Sequence, residues 1–152
     1  MHDPGTARTE FDRLFDGTLY SLLSWKQLEA FWARLDHAGG WYLYAVGEPC
    51  PAEPADAEHV AAFVREMDAL LRKEHREDYC GIVYADDLDR PRLIKIYDPN
   101  HLGTSCGSSK HRILPGWVMS RVPPTDLTPP GHFVTQNRKR WWRGFLDMIG
   151  AR

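Results

Sequence analysis

The chain has no apolar run approaching the roughly 18 residues that a membrane-spanning helix requires. Its first residues, MHDPGTARTEFDR, are polar and acidic, without the apolar core of a secretory signal. Cysteine is scarce and odd in number: Cys50, Cys80 and Cys106 stand far apart, with no pair at the two-to-four-residue spacing of a structural zinc site. These absences lead to the expectation of a cytoplasmic protein with reduced thiols, no membrane span and no disulfide framework. Internal repeats and low-complexity tracts are absent too, which excludes solenoids and arrays. The acidic triplet Asp86, Asp87 and Asp89 lacks the glycine and distal glutamate of a calcium loop, and reads as turn chemistry.

Aromatic rings are plentiful: six Trp, six Tyr and six Phe in 152 residues, enough to stiffen the core of one domain spanning 1–152. Net charge is only −2, but it is divided unevenly. Residues 1–100 carry 11 Lys and Arg against 19 Asp and Glu, whereas 101–152 carry 8 against 2. A basic end on an acidic body bears on partners rather than on fold.

Periodicity supplies the elements. Phe11, Leu14 and Phe15 suggest a short helix over 7–16, closed by Gly17. Ser24 and Gln27 form a capping-box pattern before the stripe Trp25, Leu28, Phe31, Trp32, Leu35, and Gly39-Gly40 ends it. WYLYAV at 41–46 reads as a strand, followed by a proline-rich loop around Cys50. The strongest helix is 57–76, where Val60, Phe63, Val64, Met67, Leu70 and Leu71 recur at helical spacing. His59 and His75 lie among charged neighbours and are expected to be solvated. Runs at 79–85 and 93–97 form a hairpin, and 117–122 a further strand. A C-terminal helix over 136–150 places Trp141, Trp142, Phe145, Leu146 and Ile149 on one side, flanked by Arg138, Lys139, Arg140 and Arg143. The order implies the α+β class: a mainly antiparallel sheet of about four strands with helices packed on one face.

The chemistry gathers in the loop between the last two strands, whose 19 residues exceed a passive connection. The preferred reading is a small accessory protein that binds an acidic or anionic protein partner through residues 98–116 and the C-terminal helix. Asn100, His101, Ser105, Cys106, Ser108, Ser109, Lys110, His111 and Arg112 offer hydroxyls, imidazoles and cations; Arg140, Trp141 and Trp142 add charge and stacking surface. Nucleic acid is disfavoured because the body is acidic, and homo-oligomers stay open. No cofactor is implied.

Two alternatives remain. Cys106 and Arg112 fit the C-x5-R spacing of cysteine-dependent phosphatases, in which a thiolate attacks phosphorus and an acid such as Asp126 assists. The resemblance covers seven residues, and the following ILPG leads away from the helix that such a loop needs. Alternatively Cys80, His101, Cys106 and His111 supply a thiolate and imidazole set suited to a transition metal.

Overall fold

The strongest helical stripe organises the fold. In the computed structural model, which describes residues 8–102 and 113–150, helix α3 spans Ala57–Glu74. The Asp56 carboxylate accepts from the His59 N–H and caps its first turn. All six stripe residues are buried, and they meet one face of a five-stranded antiparallel sheet. Helix α1 is Glu10–Phe15 and α2 is Trp25–Arg34. The strands are β1 (Tyr20–Ser21), β2 (Tyr42–Ala45), β3 (Val83–Ala85), β4 (Leu93–Ile96) and β5 (Trp117–Ser120), in the order β1-β3-β4-β5-β2. Helix α4, Gln136–Ile149, closes the described chain.

Side chains alternate across a strand, and the burial follows that period. Leu43, Ala45, Ile94, Ile96, Trp117 and Met119 join the core built with α2, α3 and α4. Tyr44, Val46, Leu93 and Val118 point the other way, onto Phe11 and Phe15 of α1. The expected α+β class holds, with five strands rather than about four. Three helices share one face as anticipated, while the short α1 covers the other. Lys95 also lies on the α1 side, its Nζ 3.6 Å from the centre of the Phe15 ring.

Several boundaries differ from expectation for local reasons. Strand β1 is two residues long, too short to show a period. Gly81 takes a left-handed φ of 68°, so the run from Tyr79 does not enter the sheet until Val83. Strand β5 stops at Ser120, whose Oγ accepts from the Val122 N–H and donates to the Val122 carbonyl. The Gln27 side chain of the expected capping box reaches the Leu23 N–H, while Ser24 caps Gln27 N as expected. In the β3–β4 turn, Asp86 accepts from the N–H groups of Arg92 and Leu93, and Asp87 from those of Asp89 and Arg90. Two of the acidic triplet are therefore committed to backbone.

His75 is a correction. It is only 7% exposed; its Nε2 lies 2.9 Å from the Cys80 carbonyl oxygen, and its ring packs edge-on to Trp25 and Tyr79. The helix ends there, and Trp25, fifty residues earlier, and Tyr79, four residues later, cover the ring.

Helix α4 adds Trp142 and Phe145 to the main core, where both meet Phe63 edge-to-face at 6.3 and 5.7 Å between ring centres. Phe63→Ala is expected to lower the unfolding free energy by about 3 kcal/mol in chemical denaturation, because the two α4 rings can only partly close the void. Unaltered stability would place the α3 stripe outside the core.

Candidate functional site

The most unusual chemistry among the described residues is a buried charge cluster where three distant elements meet. After β4 the chain turns through a short 3-10 segment, Pro99–His101, capped by Asp98, whose Oδ1 accepts from the Asn100 N–H at 2.9 Å. Gly116 lets the chain leading into β5 pass close by, since a Cβ there would meet Asp98 Cβ at 3.3 Å. From the first turn of α4, Arg138 enters this corner and is only 6% exposed. Its Nε donates to Asp98 Oδ2 (2.6 Å) and its Nη2 to Asp98 Oδ1 (2.9 Å), a fork that matches the carboxylate plane. The same guanidinium reaches Glu74, at the end of α3, through Nη2–Oε1 (2.6 Å) and Nη1–Oε2 (3.3 Å). Asn100 Nδ2 donates to Glu74 Oε1 at 2.8 Å. The Trp117 ring lies 5.7 Å from the guanidinium carbon.

Burial alone would push the Asp98 carboxyl up, but the Arg138 hydrogen bonds and charge together with the Asn100 N–H hold it below the usual carboxylate range. Glu74 is also lowered, chiefly by its bonds to Arg138. Burial disfavours the Arg138 cation, yet the two carboxylates outweigh this and raise its pKa. One guanidinium faces two carboxylates, so the cluster carries an excess negative charge.

Above it opens a cavity of about 370 Å³. Asn100, His101 and Ile113 border it on one side, and Val134, Thr135 and Arg138 on the other. The two ends of the 98–116 segment and the start of α4 thus share one rim. Phe133, 73% exposed, stands at that rim. A second hollow, of about 420 Å³, shares Ile113 and is walled by Leu19, Ile82, Tyr84, Tyr97 and Leu102.

Of the residues expected to bind, Asn100 and His101 sit at the cavity, while Ser105, Cys106, Ser108, Ser109, Lys110, His111 and Arg112 lie outside the described residues. Arg140 is exposed on α4. Trp141 is half-buried, its ring 5.4 Å from that of Trp117. Trp142 is 7% exposed and belongs to the core, touching the cavity from inside; it is not a free stacking surface. For the metal alternative, Cys106 and His111 are likewise outside; Cys80 is sealed in the main core, and His101 lies 3.6 Å from Asp98 on an exposed turn. Among the described residues no group of three or more His, Cys, Asp or Glu is placed to hold a metal ion. Asp126, the acid invoked for thiol chemistry, accepts from the Tyr44 hydroxyl (3.3 Å) and the Thr128 N–H (2.9 Å).

Arg138 was the residue to find, and the sequence carries a signal for it. Positions 138, 142, 145 and 149 lie on one helical face, so Arg138 falls within the apolar stripe, whereas Arg140 and Arg143 fall off it. A cation on a buried face requires a buried partner.

Cys80 has no exposed surface, and burial pushes its thiol up. Brief alkylation of the folded protein, read by mass spectrometry, is expected to leave Cys80 unmodified while Cys106 is labelled. Preferential labelling of Cys80 would contradict its burial.

No family model, curated protein or solved structure matches the chain.

Proposed function

We propose that the chain is an accessory protein that binds an acidic partner protein through the 98–116 segment and α4. The observation supporting this reading is the convergence of those two elements on one rim. The exposed Phe133 offers an apolar anchor at that rim, and away from the cavity Arg140 and Arg143 of α4 are exposed to solvent. Lys110 and Arg112 add cations within the same segment of the sequence. An exposed apolar anchor with polar surroundings is the usual anatomy of a partner surface.

The test uses the full chain as bait in its native host. Reversing charge in Arg140→Glu/Arg143→Glu should leave the circular dichroism spectrum unchanged and weaken capture of an acidic partner about tenfold. Capture by the parent chain should also fall as sodium chloride is raised. A partner retained equally by both chains and at high salt would reject the reading.

A further inference from the structure

Helix α4 holds a glycine that no contact among the described residues requires. Gly144 sits inside the helix and is exposed, and a Cβ added there would meet no atom of the described residues outside its own helix within 4 Å. Glycine is a poorer helix former than alanine, so the position gives up helix stability without relieving any crowding. Asn137, Trp141, Gly144 and Met148 recur at spacings of four, three and four residues, the pattern of a short coiled-coil seam. The seam runs beside the face that places Trp142 and Phe145 in the core. Its own residues are not sealed: Asn137 is exposed, Trp141 is half-buried and Met148 is 52% exposed.

We propose that this seam pairs with the same seam of a second copy of the chain, the two helices running antiparallel and crossing at Gly144. A two-fold axis there makes every contact twice. Trp141 and Met148 lie three and four residues from Gly144 on opposite sides, so the axis sets Trp141 against the partner's Met148 and the reverse. A thioether against an indole edge is a favourable contact. At the crossing, a residue without a side chain lets the two backbones approach closely. Arg140 and Asp147 are seven residues apart and share one flank of the seam. Antiparallel pairing therefore sets Arg140 beside the partner's Asp147 and the carbonyl end of the partner's helix, where a cation is favoured. Parallel pairing would set arginine against arginine. The seam thus complements itself in both shape and charge. One helix crossing falls at or below the roughly 1,200 Å² low end of stable interfaces, so the dissociation constant should be on the order of 100 μM. This inference does not rest on the accessory-protein reading, because it is tested on the purified chain alone.

The test is sedimentation equilibrium of the full chain at neutral pH, from about 10 μM to 1 mM. A reversible monomer–dimer equilibrium is expected. Met148→Glu, at an exposed position, should keep the thermal transition and weaken the dimer about tenfold. Gly144→Ala has a double signature: a higher melting temperature from better helix propensity, and a dimer weakened about fivefold. A glycine with no role in packing against a partner would give the first effect alone. Orientation is read by isotope-filtered nuclear magnetic resonance on a mixture of labelled and unlabelled chains. Contacts from the Met148 methyl group to the partner's Trp141 ring are expected. If a variant does not fold, sedimentation and resonance contacts of the parent chain decide the matter. A monomer across the whole range, a dimer unaffected by either folded variant, or Met148 contacts to the partner's Met148 in place of Trp141 would each overturn the proposal.

Discussion

Replacing Arg138 with alanine is expected to remove about 4–5 kcal/mol of unfolding free energy, more than Phe63→Ala. The substitution strands two carboxylates. Asp98 is 5% exposed and among the described residues would keep only the Asn100 N–H and the adjacent His101, while Glu74 would keep the Asn100 amide. Removing one partner of a buried ion pair leaves an uncompensated charge and typically costs about 3–5 kcal/mol; here a single cation serves two anions. Arg138→Lys should recover part of the loss, since a point charge replaces one contact but not the fork. The pH dependence has a definite sign. The folded-state pKa values of Asp98 and Glu74 are lowered, so their contribution is complete above the unfolded carboxylate values, near pH 4, and is lost as pH falls through the lowered folded values. In Arg138→Ala that contribution is already gone. The stability gap between parent and variant, measured by urea unfolding, should therefore narrow as pH falls below about 4. A gap that stays constant across that range, or a loss under 1 kcal/mol, would show that the cluster does not act as a coupled unit.

Long periodic segments were legible because period and burial share one cause. The α3 stripe is buried at all six positions, and the alternation along β2, β4 and β5 divides cleanly between two cores. What the sequence conceals is pairing across distance. Strand β1 is two residues long and acquires its identity from β3, through the register Tyr20↔Ala85 and Ser21↔Tyr84. His75 looks solvated beside its charged neighbours, but Trp25 arrives from fifty residues away to pack on a ring that the nearby Tyr79 also covers. The charge cluster is the strongest case: Glu74, Asp98 and Arg138 lie on three elements, and no local pattern joins them. Only the intrusion of Arg138 into an apolar stripe marked the site. The loop emphasised by its length and composition lies mostly outside the described residues, but its two ends border the cavity and so adjoin the cluster.

Deleting residues 136–152 is expected to abolish cooperative unfolding rather than merely lower its midpoint. The deletion removes two ring systems from the main core: Trp142 and Phe145, 7% and 4% exposed, both packed on Phe63. It uncovers Trp117 by removing Trp141 and the Arg138 guanidinium. It strands Asp98 and Glu74 as Arg138→Ala does. Large-to-small changes in a core cost about 3–5 kcal/mol per aromatic ring, and the broken ion cluster costs a comparable amount. Their total, about 9–15 kcal/mol, is comparable to the roughly 5–15 kcal/mol by which a domain is stable. The truncated chain should therefore lose its near-ultraviolet circular dichroism, bind a hydrophobic dye and show no sigmoidal thermal transition. Charge reversal at Arg140 and Arg143 touches the same helix on its exposed side and should leave that transition within a few degrees of the parent. The contrast separates two roles on one helix, an inward face that completes the core and an outward face available to a partner. A truncated chain that still melts cooperatively near the parent temperature would mean that α4 docks on a core complete without it, and the estimate for Arg138→Ala would fall with it.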